Sequence, residues 1–85
     1  MNQQIGKRIK QLRTEKDLSR EDLALKIGIS TAQLYRIETK GANFSTETLI
    51  ELCKYFNVDS NYILDGVITD YFIKNKIKDI INDWI

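Results

Sequence analysis

The side chains that could do chemistry in this sequence of 85 residues are mainly cations and hydroxyl groups, and few of them suit catalysis. Cys53 is the only cysteine and histidine is absent. A disulfide framework, a zinc site and a Cys–His nucleophile are therefore excluded within one chain. The sequence also has no evident pair of catalytic carboxylates, no GxGxxG pattern and no P-loop pattern. We expect a protein that is not an enzyme and that binds no cofactor and no metal ion.

The basic side chains are concentrated in the first half of the chain. Residues 1–43 contain nine Lys and Arg against five Asp and Glu, a net charge of +4, whereas residues 44–85 contain four against seven, a net charge of −3. A solvated mixture of charges would be the ordinary explanation of such a pattern. A basic half and an acidic half also suit a protein that presents one face to phosphate groups.

Residues 19–38 are predicted to form two short helices joined by a tight turn. Ser19 stands just ahead of the first helix and Asp22 follows three residues later, which is a capping-box arrangement with Asp in place of the usual Glu or Gln. The apolar residues of this helix share one face: Leu23, Ala24 and Ile27. Gly28 comes next, where a left-handed residue would end the helix.

The second of these helices begins only two residues after that glycine. Ser30 is its N-cap candidate, and Leu34 and Ile37, three residues apart, form its apolar face. Two helices joined by so short a turn, with a glycine in it, match the helix-turn-helix motif. The second helix of that motif enters the major groove of DNA.

The stretch resembles the phage Cro/repressor type (Xre-like) of helix-turn-helix, a large family of bacterial and phage regulators. The matching segments are residues 18–24, 28–30 and 34–38, with Gly41 soon after, and outward from them residues 5–13 and 48–58. The resemblance covers residues 5–66, and residues 67–85 lie outside it. It implies an all-α, five-helix, lambda-repressor-like domain over residues 1–66 that binds double-stranded DNA.

The resemblance also implies roles for individual residues. Side chains at the start and along the exposed face of the second helix would lie against base edges: Thr31, Ala32, Gln33, Tyr35 and Arg36. Other residues would contact phosphate: Arg20, Ser30, Lys40 and Asn43. Arg20 departs from the family, which usually has a glutamine there, but an arginine can bond phosphate with added charge.

Arg36 is the strongest candidate for reading DNA sequence. Its guanidinium can bond the O6 and N7 of guanine together, which is worth about 1–3 kcal/mol of discrimination. The alternative for Arg36 is a phosphate contact or a solvated side chain. For Tyr35 the alternative is stacking against a loop, or contact with the DNA backbone alone.

Arg13 and Glu38 have a structural role in this interpretation. Matching positions in several phage repressors form a partly buried ion pair that ties the first helix to the end of the recognition helix. We expect the same pair here. Removing one partner of a well-buried pair costs about 3–5 kcal/mol, because the other charge is left unpaired.

The remaining helices of the domain are predicted from apolar spacing and capping residues. A first helix covers residues 3–16, and a fourth covers residues 46–56 after the N-cap Ser45. A fifth, short helix covers residues 60–65 and stops at Gly66.

Spacing then predicts which residues form the core. They are Leu12, Leu18, Leu23, Ala24, Ile27, Leu34, Ile37, Leu49, Leu52, Phe56 and Leu64. Cys53 is expected to be a small core residue rather than a redox sensor. Gly41, between the third and fourth helices, is expected to be left-handed.

Residues 67–85 predict a further amphipathic helix. Ile73, Ile77, Ile80 and Trp84 are spaced by four, three and four residues, which is the spacing of a coiled-coil seam, and Ile81 widens it. Such an apolar seam needs to be covered. We expect it to form a dimer interface of Ile73, Ile77, Ile80, Ile81 and Trp84. The alternative is that it packs back onto the first or fifth helix of its own domain.

The function expected from the sequence is that of a DNA-binding transcriptional regulator, a repressor that binds a palindromic operator as a homodimer. The alternative is a protein-interaction module on the same scaffold, such as an antitoxin that neutralises a toxin or a regulator that docks on an antirepressor. No apolar run approaches eighteen residues and no signal-peptide pattern follows Met1. We therefore expect a cytoplasmic protein that does not enter the membrane.

Overall fold

The computed structural model describes residues 3–66, which form five α-helices joined by short turns and contain no strand. The helices are α1 (Gln3–Glu15), α2 (Arg20–Ile27), α3 (Thr31–Lys40), α4 (Thr46–Phe56) and α5 (Ser60–Asp65). The predicted all-α class and the predicted order of five helices are confirmed. The predicted helix of residues 67–85 lies outside the described residues, together with its seam of Ile73, Ile77, Ile80, Ile81 and Trp84.

Serine side chains cap the starts of α2, α3 and α4, as the sequence predicts. The hydroxyl oxygens of Ser19, Ser30 and Ser45 each accept a hydrogen bond from the backbone N–H three residues later. At Ser19 the carboxylate of Asp22 also accepts from the serine N–H, and at Ser30 the side-chain oxygen of Gln33 does the same. Both capping boxes are therefore complete.

A left-handed residue followed by an apolar one ends each of the first four helices. The left-handed residues are Asp17, Gly28, Gly41 and Asn57. The residue after each donates its N–H to a carbonyl near the end of the preceding helix: Leu18, Ile29, Ala42 and Val58. This pairing of a reversed backbone with an apolar contact turns the chain back onto the core.

All five helices contribute side chains to the core. Its buried apolar residues are Ile5, Ile9, Leu12, Leu23, Ala24, Ile27, Leu34, Ile37, Leu52, Phe56, Val58 and Ile63. The prediction was wrong for Leu18, Leu49 and Leu64, which are only half-buried at its edge. In α5 it is Ile63 that faces inward, and the next residue is turned away by about 100°. Cys53 is also half-buried.

The backbones of α1 and α3 touch at Gly6. A β-carbon at this buried glycine would overlap the carbonyl oxygen of Ile37 and lie 3.1 Å from the Cα of Glu38. Because only glycine lacks a β-carbon, Gly6 permits a closer crossing of the two helices than any other residue at this position would. Leu34, fully buried, adds the apolar anchor of α3. The orientation of α3 is therefore fixed by direct contact with α1.

Arg8 ties α1 to the end of α5. Its Nη1 donates to the carbonyl oxygens of Ile63 at 3.1 Å and Leu64 at 3.0 Å. These carbonyls lie in the last turn of the helix, where a cation is favoured. Within residues 3–66, no helix has the length and apolar character needed to cross a membrane.

Candidate nucleic-acid interface

The outward face of α3 carries the residues predicted to read DNA. Ala32, Gln33, Tyr35 and Arg36 are exposed and Thr31 is half-buried, whereas Leu34 and Ile37 point into the core. This division follows from helical geometry, since residues three apart share a face and their neighbours point elsewhere. Arg36 lies between the others, with Gln33 on one side of it and Thr31, Ala32 and Tyr35 on the other. Gln33 has a second task there, because its side-chain oxygen accepts from Ser30 N at 2.9 Å.

A buried carboxylate organises the charges behind this surface. Glu38 has a fully buried side chain, and its two oxygens take hydrogen bonds from Arg13 Nε at 2.8 Å and Arg13 Nη2 at 3.1 Å. The pair joins α1 to α3 in the two-pronged geometry that suits a guanidinium and a carboxylate. Arg13 Nη1 also donates to the carbonyl oxygen of Leu18 at 2.7 Å. The structure thus places Arg13 and Glu38 in the contact expected from the sequence.

A second arginine, not anticipated from the sequence, shares the same carboxylate. Arg20 Nε lies 2.9 Å from Glu38 Oε1, and the Arg20 side chain is 29% exposed. The Arg20 guanidinium carbon also lies 5.1 Å from the centre of the Tyr35 ring. Arg20 was expected to bind phosphate and Tyr35 to approach bases, but the structure also brings the two side chains against each other. No local spacing signals this contact, because it joins different helices.

The arginines border an open groove beside the start of α3. This arginine groove has a volume of about 650 Å³ and is lined by Arg13, Arg20, Arg36, Glu21, Thr31 and Tyr35, among others. One of its three guanidinium groups, that of Arg13, is satisfied by Glu38, whereas Arg36 is exposed. Guanidinium groups bordering a groove can offer paired N–H donors to phosphate or to guanine.

A second groove lies on the other side of Arg36. This loop groove, of about 520 Å³, is bordered by Gln33, Arg36 and Asn43 and by two carboxylates, Glu47 and Glu51. No local spacing indicates these acidic neighbours, because they lie on α4 and not on α3. They repel phosphate, so the arginine groove is the more favourable side for a DNA backbone.

The remaining predicted phosphate contacts lie at the ends of α3. Ser30 and Lys40 are both exposed, one as the N-cap and the other as the last residue of the helix. Asn43, also exposed, follows Gly41 in the loop to α4. Among residues 3–66, no group of acidic, cysteine and histidine side chains is arranged to hold a metal ion.

These features define a class of protein. A five-helix domain with a capped helix-turn-helix, whose second helix presents an arginine and small polar residues outward, is the DNA-binding domain of a transcription regulator. A family model described as helix-turn-helix matches residues 9–63, more than half of the chain. The protein therefore belongs to the helix-turn-helix family.

Solved structures and a curated relative support the same assignment. The N-terminal DNA-binding domain of SinR from Bacillus subtilis is similar with a TM-score of 0.69 and 35% identity, over 75% of this chain and 94% of that one. The restriction-modification controller protein C.AhdI from Aeromonas hydrophila is similar with a TM-score of 0.66 and 26% identity, over 73% of this chain and 94% of that one.

The curated relative is the antitoxin PezA of Streptococcus pneumoniae serotype 4. It is 43% identical over 54 residues, which are 64% of this chain and 34% of the antitoxin. The chain thus spans about a third of the length of that relative.

Proposed function

We propose that the protein is a sequence-specific transcription repressor that binds a palindromic operator in double-stranded DNA as a homodimer, with α3 in the major groove. The observation that carries this proposal is the outward face of α3, which presents Thr31, Ala32 and Arg36 together on a helix anchored by its opposite face. A helix whose side chains contact base edges needs a fixed orientation, and the backbone contact between α1 and α3 at Gly6 provides it.

Each base-reading residue has a distinct chemical capacity. Arg36 can donate two hydrogen bonds to guanine, and the methyl groups of Thr31 and Ala32 can contact thymine. Gln33 keeps its side-chain NH2 for a base acceptor, since only its oxygen is used by the capping box. Tyr35 lies at the flank of this surface, beside Arg20.

Phosphate contacts fix the register of the domain on the duplex. Arg20, Ser30, Lys40 and Asn43 would supply them, and the backbone N–H groups at helix starts would add to them. Dimerisation through residues 67–85 would place two α3 helices about 34–36 Å apart, one turn of DNA. Repression would follow from occlusion of a promoter that contains the operator.

A selection from randomised duplexes, followed by binding titrations at several salt concentrations, tests this function. The full chain should select a palindrome with half-sites about one turn apart. Arg36→Ala should relax one position in each half-site, whereas Arg20→Ala should weaken all sequences alike and flatten the salt slope by about one unit per half-site.

Lys54→Ala is the matched control for these variants. It removes a cation on α4 whose side chain is 71% exposed and, within residues 3–66, paired only with Glu51. We expect its selected sequence and its salt slope to equal those of the unmodified protein. Sedimentation of the full chain tests the dimer, and a monomer at high micromolar concentration would contradict it.

A second candidate function is that of an antitoxin or another protein-docking regulator. The observation that favours it is the 43% identity to antitoxin PezA. Weak binding with no selected motif would support this candidate against the first. An antitoxin that also binds its own operator would select a motif and, in addition, form a complex of defined stoichiometry with a toxin.

A further inference from the structure

The Arg20 side chain is held from two directions. Its Nε is bonded to the buried Glu38 at 2.9 Å, and its guanidinium carbon lies 5.1 Å from the centre of the Tyr35 ring. Tyr35 and Glu38 are three residues apart on α3, so both project from the same side of that helix. Arg20 is the first residue of α2. The contact therefore joins the starting turn of α2 to the second half of α3.

This arrangement leaves one end of the guanidinium available. Among residues 3–66, the two terminal nitrogens of Arg20 have no hydrogen-bond partner. Arg20 borders the arginine groove, whose other lining residues include Arg36 and Thr31. A guanidinium has a rigid planar fork, so fixing its Nε and one of its faces also fixes the direction of the remaining N–H groups.

We propose that Tyr35 is a positioning residue, which acts with Glu38 to hold the terminal N–H groups of Arg20 towards a DNA phosphate. The proposal rests on the DNA-binding function given above and assigns Tyr35 a task other than base reading. A free arginine loses side-chain freedom when it binds phosphate, and a side chain already held in place loses less. The aromatic ring supplies part of that restraint through its attraction for a cation.

The two possible tasks of Tyr35 depend on different atoms. Positioning needs the aromatic ring and does not need the hydroxyl group, because the guanidinium lies over the ring. Hydrogen bonding to a base or to a phosphate would need the hydroxyl group. Tyr35→Leu and Tyr35→Phe therefore separate the two tasks. Tyr35 is 46% exposed, so neither change opens a cavity in the core.

The binding experiment uses the full chain and the duplex selected from the randomised pool. Tyr35→Leu should weaken binding about twofold to fivefold, the effect of a partly exposed cation–π contact. Tyr35→Phe should restore the affinity that Tyr35→Leu loses. In the Arg20→Ala background, Tyr35→Leu should have no further effect, because there is no guanidinium left to position. Equal losses in Tyr35→Leu and Tyr35→Phe, or an unchanged loss in the Arg20→Ala background, would overturn the proposal.

A measurement without DNA separates this proposal from the proposed function. In the free protein, the Nε–H resonance of Arg20 should be sharp and slowly exchanging, since that proton is bonded to a buried carboxylate. It should shift and broaden in Tyr35→Leu but not in Tyr35→Phe. If the unmodified protein selects no duplex from the randomised pool and binds none, the DNA-binding function is refuted. An Arg20 resonance that is the same in all three proteins refutes the positioning role of Tyr35.

Discussion

Replacing Glu38 with glutamine should be among the most destabilising single changes in this domain. The substitution keeps the size of the side chain and removes its charge. Glu38 accepts hydrogen bonds from Arg13 Nε, Arg13 Nη2 and Arg20 Nε, and its own side chain is fully buried. After the change, an amide that has two donors of its own would face two guanidinium groups.

The magnitude follows from how far each partner is buried. The side chain of Arg13 is 9% exposed, so water cannot replace the lost carboxylate there. Removing one partner of a well-buried ion pair costs about 3–5 kcal/mol. The Arg20 side chain, at 29% exposed, adds less because water screens part of its charge. For a domain of this size, a loss of about 3 kcal/mol would lower Tm by about 12 °C or more.

Urea unfolding of the full chain, followed by circular dichroism, measures this loss. The matched control is Glu51→Gln, which makes the same chemical change at a carboxylate that is 48% exposed and 3.9 Å from Lys54. We expect the control to change the free energy of unfolding by less than about 1 kcal/mol. If Glu38→Gln also cost less than about 1 kcal/mol, the inference that buried Arg13 depends on Glu38 would be refuted.

Two further predictions concern packing and pH. Gly6→Ala should lower the free energy of unfolding by about 3 kcal/mol or more, because the new β-carbon overlaps the carbonyl oxygen of Ile37. The control is Lys10→Ala, at an exposed position of the same helix. Equal unfolding midpoints for the two variants would contradict the close crossing of α1 and α3. Burial, and secondly the charge of Asp59, raise the pKa of the Cys53 thiol above its ordinary value of 9.0. The unfolded chain therefore loses this proton first as the pH rises past 9.0, so Cys53 should contribute a fall in stability from that pH upward. Comparing unfolding midpoints of the unmodified protein and Cys53→Ala at about pH 8 and about pH 10 measures this fall, and parallel changes in the two proteins would refute it.

Local signals explain why the helices could be predicted so closely. Ser19, Ser30 and Ser45 cap helices through bonds that span only three residues, and Gly28 and Gly41 reverse the chain just beyond helix ends. The spacing of apolar residues gave the inward faces of α2 and α3 for the same reason. Each of these features depends on neighbours in sequence, so the sequence contains all the information needed.

Local signals were less informative where side-chain burial depends on two helices at once. Val58 lies between α4 and α5, outside both helices, but its side chain is 1% exposed because the reversal at Asn57 directs it inward. Leu64 was assigned to the core but is only half-buried, and Ile63 is the buried residue of α5, since a helix as short as α5 shows too little periodicity to define its buried face.

By itself the sequence determined that this protein is an all-helical member of the helix-turn-helix family, with α3 as the helix that presents Thr31, Ala32 and Arg36. Apart from the Arg13–Glu38 pair, which the family resemblance implied, only the tertiary structure decided which charges meet across helices. In the tertiary structure Arg8 donates hydrogen bonds to carbonyl oxygens of α5, and Arg20 contacts both Glu38 and Tyr35. The physical reason is distance along the chain: these partners are 15 to 56 residues apart. They meet because α1 and α2 pack against helices later in the chain, and no local pattern records that packing.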